Sequence, residues 1–182
     1  MKTRYVGNPD AGTTEIAPGL PLYNEVRVEA REYQDFDVDA VIRLENGRLG
    51  VSELKIKQRV GGPSVTSEAL RSIAVGQFLR RSFIASNELR PGEADDYDPV
   101  RRVAFGLLRA EDRDRMKEAG PVTETLRWVS VIYRAALATG DAPTKAVQES
   151  FDVPRYTADR WVAKAREREF LGPAEGPGKA GA

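Results

Sequence analysis

The chain has 182 residues, enough for one domain of ordinary size or for two small domains joined by a linker. It contains no cysteine and no histidine, which excludes disulfides, thiolate zinc sites and the usual histidine-based hydrolases. Its 28 basic and 28 acidic residues cancel to a net charge of zero, unlike many nucleic-acid binders. We expect a cytoplasmic protein without a secretory signal or a membrane span, because no apolar run is long enough.

The first part of the chain predicts a short leader followed by a β-sheet. Residues 1–21 are rich in glycine and proline and show little periodicity, which predicts a flexible leader. Residues 22–57 alternate apolar and charged side chains, a pattern typical of half-buried antiparallel strands. We therefore expect a three-stranded antiparallel sheet. Its strands would cover residues 22–33, 36–44 and 48–57, with tight turns at 34–35 and 46–47.

Helices are expected between this sheet and residue 120. Thr66 or Ser67, followed by Glu68, is typical of a helix N-terminus, and helical segments would extend to about residue 86. After an acidic loop over residues 87–98, Asp98 and Pro99 indicate the start of another helix that would end near Gly120. With the sheet, these helices form a predicted α+β domain over residues 22–119.

Three further helices are predicted over residues 122–171. They would cover residues 124–139, 143–151 and 155–170. Gly140 is suited to end the first of them, and Pro143 to begin the second. Val147, Phe151 and Trp161 would fill the space between the second and third helices. A short second helix and a tight turn are typical of a helix-turn-helix domain that binds DNA. Residues 172–182 are rich in glycine and proline and predict a disordered tail.

The polar face of the third helix is the candidate DNA-binding surface. In the major groove, its side chains would reach base edges while cations contact phosphates. Residues 155–170 contain five cations and three acids, so this helix is locally basic in a neutral chain. The candidates near bases are Arg155, Tyr156, Asp159 and Arg160, those on phosphates are Thr144, Lys145 and Lys164, and Thr157 also lies on the polar face.

The same region resembles a known group of proteins. The motifs APTKAV at 142–147, YTADRWVAKAR at 156–166, FLGP at 170–173 and GKAG at 178–181 are similar to those of actinobacterial and actinophage helix-turn-helix proteins. The segment VTSEALRSI at 65–73 is also similar to a stretch in such proteins. The resemblance mainly concerns residues 124–181. It implies DNA binding and a regulatory role, without a known ligand or operator.

Two positions depart from the usual helix-turn-helix pattern. Gln148 occupies a position that is usually a small alanine where the two helices cross, so it would loosen the crossing. Asp152 occupies the position of the usual turn glycine. Aspartate tolerates the left-handed backbone conformation better than most residues, so the turn can still form.

The sheet offers an alternative function. Asp39, followed after fourteen residues by Glu53 and then Lys55, is similar to the D...ExK arrangement of metal-dependent nucleases. There the carboxylates hold Mg²⁺ and the lysine positions or activates water. The strand alternation alone also places Glu53 and Lys55 on a solvated face, and the elements around them fit that nuclease core less well. The nuclease remains the alternative.

The expected function is sequence-specific binding of double-stranded DNA by a transcriptional regulator that is not an enzyme and has no cofactor. One recognition helix usually binds too weakly alone. We therefore expect a homodimer, or a second DNA-contacting surface such as the strand end that carries Lys55, Lys57, Gln58 and Arg59.

Overall fold

A computed structural model of the protein describes residues 2–87, 103–104 and 108–173. The fold is of the mixed α+β class, as expected. The chain divides into two compact units, the first with residues 2–14 and 21–87 and the second with residues 15–20 and the described residues from 103 onward. The sequence predicts a boundary near residues 120–121 instead. No helix among the described residues is long and apolar enough to cross a membrane.

The main sheet lies in the first unit and has four antiparallel strands in the order β1-β4-β5-β6. A separate two-stranded sheet is formed by β2 and β3. The strands are β1 (Lys2–Gly7), β2 (Thr13–Ala17), β3 (Leu20–Tyr23), β4 (Glu25–Tyr33), β5 (Phe36–Glu45) and β6 (Arg48–Gln58).

The expected three-stranded sheet and flexible leader are therefore wrong. β1 comes from the expected leader and pairs with β4, with Lys2 opposite Arg31 and Gly7 opposite Val26. Four of the glycines and prolines of the leader, at positions 9, 12, 18 and 19, lie between short strands and do not mark an unstructured segment. Glycine and proline content reports turns, and it says nothing about whether the residues between the turns find a partner strand.

The two faces of the main sheet differ as the alternation predicts. Val26, Val28, Val38 and Ile42 on one face are at most 1% exposed. The helix α2 (Val75–Asn87) contacts β1, β4 and β6, and its Phe78 ring lies 5.4 Å from the Tyr33 ring. The other face carries the charged residues. The expected hairpin turn at 46–47 is confirmed by positive φ angles of 51° and 72°.

The helices between the sheet and residue 120 match the prediction in part. The side chain of Thr66 accepts a hydrogen bond from the Ala69 N–H and caps α1 (Ser67–Ser72). Residues 88–102, which include the expected acidic loop and the next helix start, lie outside the described residues. A continuous helix up to Gly120 is wrong, because residues 108–109 are not helical and α3 (Ala110–Ala119) begins anew. The apolar spacing stops at Leu108, and only Met116 of α3 is buried.

The last three helices follow the predicted order. They are α4 (Thr123–Thr139), α5 (Pro143–Phe151) and α6 (Arg155–Glu167). Gly140 has the left-handed conformation and its N–H is bonded to the carbonyls of Ala136 and Leu137, as the C-cap prediction requires. α6 ends three residues earlier than expected. Residues 174–182 lie outside the described residues, so the disordered tail stays a prediction.

A buried aromatic pair joins α5 to α6. The side chains of Val147, Phe151 and Ala158 are 0% exposed, and Trp161 is 4% exposed. The rings of Phe151 and Trp161 meet edge to face with centroids 5.2 Å apart. Edge-to-face pairs add to the free energy gained from burial alone. This contact therefore holds the two helices at their crossing.

We predict that Phe151→Ala destabilises the second unit by about 3–5 kcal/mol, because it removes a fully buried ring and leaves a cavity. Both tryptophans, Trp128 and Trp161, lie in this unit, so their fluorescence during urea unfolding measures its stability. Tyr156→Ala is the matched control, since this aromatic ring is 76% exposed and its removal should change the free energy by less than about 0.5 kcal/mol. Equal effects of the two substitutions would contradict the assignment of the core.

Candidate nucleic-acid interface

One face of α6 is anchored in the core of the second unit and the opposite face is open. Ala158, Trp161, Val162 and Ala165 follow the spacing of one helix face and are at most 7% exposed. Arg155, Tyr156, Asp159 and Arg160, the candidates for base contacts, are all exposed. Thr157 and Lys164 are half-buried. The predicted polar face is thus accessible along the first two turns of the helix.

The charged side chains on this face form only weak interactions with the described part of the protein. The Nε of Arg155 lies 3.7 Å from the Oδ2 of Asp159, and the two side chains are 71% and 54% exposed. Ion pairs in water are worth little, so Arg155 can exchange this partner for a phosphate or a base edge at small cost. Arg160 and Lys164 form no ion pair with any residue that the structure describes.

Thr144 and Lys145, the other candidates for phosphate contacts, lie in the first turn of α5. Thr144 is half-buried, while Lys145 is exposed and pairs with Glu149 one turn later at 3.6 Å. Both residues therefore lie at the N-terminal end of the helix that precedes α6.

The turn between α5 and α6 forms despite its unusual sequence. Asp152 has a φ of 48° and a ψ of 52°, the left-handed conformation expected of it. Its N–H and that of Val153 are bonded to the carbonyls at the end of α5, including Gln148. Gln148 is half-buried, and Val147 beside it is fully buried. The expected loosening at Gln148 therefore does not open the core next to it.

A lysine that the sequence did not single out fixes this turn. The Nζ of Lys117, in the last turn of α3, donates to the Asp152 carbonyl oxygen at 2.6 Å and approaches its Oδ2 at 3.3 Å. A cation at a helix C-terminus interacts favourably with the negative end of the helix dipole and so stabilises the helix. Thirty-five residues separate the two partners. No local pattern links positions so far apart, so the sequence gives no signal for this contact.

A second group of contacts fixes the other end of α6. The guanidinium of Arg166 lies 5.1 Å from the centre of the Tyr133 ring and donates to the Tyr133 hydroxyl at 2.8 Å, and it also donates to the Gly172 carbonyl. Arg134 donates to the Phe170 carbonyl at 3.1 Å, and its burial lowers the pKa of its guanidinium. Arg166 thus attaches α6 to α4 and is not one of the open cations of this helix.

The three residues of the alternative nuclease site share one face of the main sheet. Asp39 on β5 stands directly opposite Lys55 on β6, and Glu53 stands opposite Val41. All three line a shallow depression of about 170 Å³. The structure therefore places the three residues together, as the motif requires.

The carboxylate of Asp39 already forms ion pairs with two cations of the protein itself. Its two carboxylate oxygens accept hydrogen bonds from Arg31 at 2.6 Å and from Lys57 at 2.8 Å. Burial alone would raise the pKa of Asp39, but the hydrogen bonds from Lys57 and Arg31 outweigh it and hold the pKa below its ordinary value. Among the residues described, no three acidic side chains are grouped closely enough to hold a metal ion.

Comparison of the chain with family models, with curated proteins and with solved structures finds no match. The resemblance to actinobacterial and actinophage helix-turn-helix proteins therefore stays a hypothesis drawn from the motifs.

We predict that Lys117→Met lowers the free energy of unfolding of the second unit by about 0.5–1 kcal/mol, because it removes the cation at the C-terminus of α5. The value is small since the lysine side chain is 43% exposed. Lys145→Met is the control, because its exposed pair with Glu149 contributes less than about 0.5 kcal/mol. Urea unfolding followed by tryptophan fluorescence measures both, and an unchanged midpoint in Lys117→Met would contradict the role of this lysine.

Proposed function

We propose that the protein binds double-stranded DNA through its second unit, with α5 and α6 acting as a helix-turn-helix and α6 entering the major groove. The observation that carries this proposal is the exposed polar face of α6, which follows directly on the left-handed turn at Asp152. In this role α5 crosses the DNA backbone and the first turns of α6 reach the bases. A regulatory role in transcription is part of the proposal.

The side chains on α6 suit this task. Arg155 and Arg160 can donate two hydrogen bonds each to a guanine edge, while Tyr156 and Asp159 can contact neighbouring bases. Lys145 and Lys164 supply cations for phosphates on either side. These roles use side chains that are exposed or half-buried at no cost to the buried core.

The neutral total charge is compatible with this proposal. Binding to phosphates depends on the local potential, and it falls as salt screens that potential. On the first unit many charges cancel one another, as Asp39 does with Arg31 and Lys57. The open cations of α6 have fewer such partners, so they remain available to an anionic ligand.

We predict that Arg155→Ala combined with Arg160→Ala weakens binding to a duplex selected from genomic fragments at least thirtyfold, taking about 1 kcal/mol or more for each arginine contact with a base. Fluorescence anisotropy at several salt concentrations measures the affinity. Wild-type binding should weaken steadily as salt rises, since phosphate contacts release counterions.

The matched control is Arg113→Ala combined with Arg127→Ala, which removes two arginine charges from α3 and α4 of the same unit. It should keep affinity within about threefold of the wild type, because neither arginine lies on α5 or α6, the two helices that the proposal places on DNA. Unchanged binding in the Arg155 and Arg160 double variant would overturn the assignment of α6 as the recognition helix.

A Mg²⁺-dependent nuclease is the second candidate function, favoured by the common face of Asp39, Glu53 and Lys55. In this reading the two carboxylates would hold the metal and Lys55 would activate water. The ion pairs of Asp39 with Arg31 and Lys57 count against it, because they would have to break before Asp39 could bind a metal ion.

We expect supercoiled plasmid to stay intact when incubated with the protein and Mg²⁺, since Asp39 is neutralised by two cations. Gel electrophoresis of the plasmid measures nicking and linearisation. Cleavage that needs Mg²⁺ and disappears in Glu53→Ala, but not in a control such as Glu29→Ala, would replace the first proposal with the nuclease.

A further inference from the structure

The outer edge of β6 is open in the part of the chain that the structure describes. β6 is the last strand of the main sheet, with β5 on one side and no strand on the other among the described residues. Residues 52–55 and 57–58 are exposed, and Leu54 remains 36% exposed although it lies on the face that α2 covers. Open strand edges present unpaired backbone N–H and C=O groups and readily pair with another strand.

Symmetry limits how two copies of this edge could pair. Two identical antiparallel strands that pair at a sheet edge are related by a two-fold axis perpendicular to the sheet. One residue then stands opposite the same residue of the other copy, and the same face of each sheet lies on the same side of the dimer. The choice of the residue at the axis then determines which residues of the two strands stand opposite each other. For β6 this leaves a small set of registers, each of which can be judged by the charges it brings together.

One register is favoured by charge. With Leu54 at the axis, Glu53 of each copy stands opposite Lys55 of the other, and the two Leu54 side chains meet. With Glu53 or Lys55 at the axis, a charge faces itself, and with Ile56 at the axis Lys55 faces Lys57. Opposite charges directly across a strand pair stabilise it and like charges destabilise it. The Leu54 register gives two favourable charge pairs and no like-charge pair on this strand.

The two charged side chains that would pair, Glu53 and Lys55, have no ion-pair partner among the described residues. Asp39 takes its cations from Arg31 and Lys57 and leaves Lys55, the residue directly opposite it, without an ion pair in the described part of the chain. Glu53 likewise forms no ion pair or side-chain hydrogen bond there. Both side chains are therefore open toward the edge of the sheet.

The opposite edge of the sheet lacks this property. β1 carries Lys2 and Arg4 and no acidic residue. With Thr3 or Arg4 at the axis, two copies of β1 bring cations opposite cations, and no register pairs a cation with an acid, because the strand has none. Cations on an edge strand are a common way to protect it from pairing. The contrast makes β6 the edge suited to pairing.

We propose that two copies of the chain associate through β6, in antiparallel register about Leu54, to form one continuous eight-stranded sheet. The interface is small, because β6 bulges at Ser52 where its pairing with β5 shifts. Interfaces of this kind fall at the low end of specific association, below about 1,200 Å² of buried surface. The dimer therefore exchanges with monomer in solution. It places two copies of α6 in one particle, which increases binding to paired DNA sites, but it does not depend on DNA binding.

Sedimentation velocity of the full chain, without DNA or Mg²⁺ and from low to high micromolar concentration, tests the proposal. The wild type should shift from monomer to dimer. Glu53→Lys alone and Lys55→Glu alone should each weaken dimerisation on the order of tenfold, because each turns two attractive pairs into repulsive ones. The double variant with both reversals restores the opposite charges and should recover the wild-type dissociation constant.

Arg4→Glu is the control, because it reverses an exposed charge on the opposite edge, and it should leave dimerisation unchanged. Circular dichroism of each variant checks that the sheet still forms. A wild type that stays monomeric throughout would overturn the proposal, and so would single reversals without effect or a double variant that fails to recover. DNA binding is measured separately, so neither result decides the other.

Discussion

The edge-to-face contact between Phe151 and Trp161 is the interaction on which the candidate interface depends. It joins the last residue of α5 to the middle of α6, one tight turn apart. Because Asp152 adopts the left-handed conformation between them, α6 leaves α5 at an angle that buries Ala158 and Ala165 and exposes Arg155 and Arg160. The exposed face is thus a consequence of the buried one, and Lys117 and Arg166 hold the two ends of this arrangement.

Acidic and basic side chains are paired on both units, and the whole chain is neutral. In the first unit, antiparallel pairing places cations beside acids, and Asp39 and Glu25 each contact two cations. The pKa of Glu25 is lowered by the hydrogen bond from Asn8, against the opposing effect of burial and with help from Arg43. On α6 the buried positions are apolar, and Arg160 and Lys164 form no ion pair among the described residues, whereas Arg166 is held by Tyr133. Net charge alone is therefore a poor guide to this protein's ligands.

Local signals predicted the last three helices well and the sheet only in part. Gly140, Pro143 and the spacing of Phe151, Ala158 and Trp161 act within a few residues, so their effect on the backbone can be read from the sequence. The pairing of β1 with β4 joins residues more than eighteen positions apart, and the Lys117 contact joins residues thirty-five apart. Such contacts form only when the whole chain has folded, and they cannot be predicted from hydrophobic periodicity and turn residues, which describe short segments. The candidate DNA contacts rest on exposure alone and stay predictions.

Glu53 and Lys55 are the point at which the two hypotheses about the sheet separate. A metal site needs Asp39 beside them as a free carboxylate, and each oxygen of Asp39 already accepts a hydrogen bond from a cation. If Asp39 left these hydrogen bonds to bind a metal ion, Arg31 and Lys57 would lose their closest anion. Pairing between two chains needs no such change. It uses Glu53 and Lys55, which form no ion pair in the described part of the chain, and the backbone edge beside them. The arrangement of charges around Asp39 therefore favours a role in association over one in metal binding.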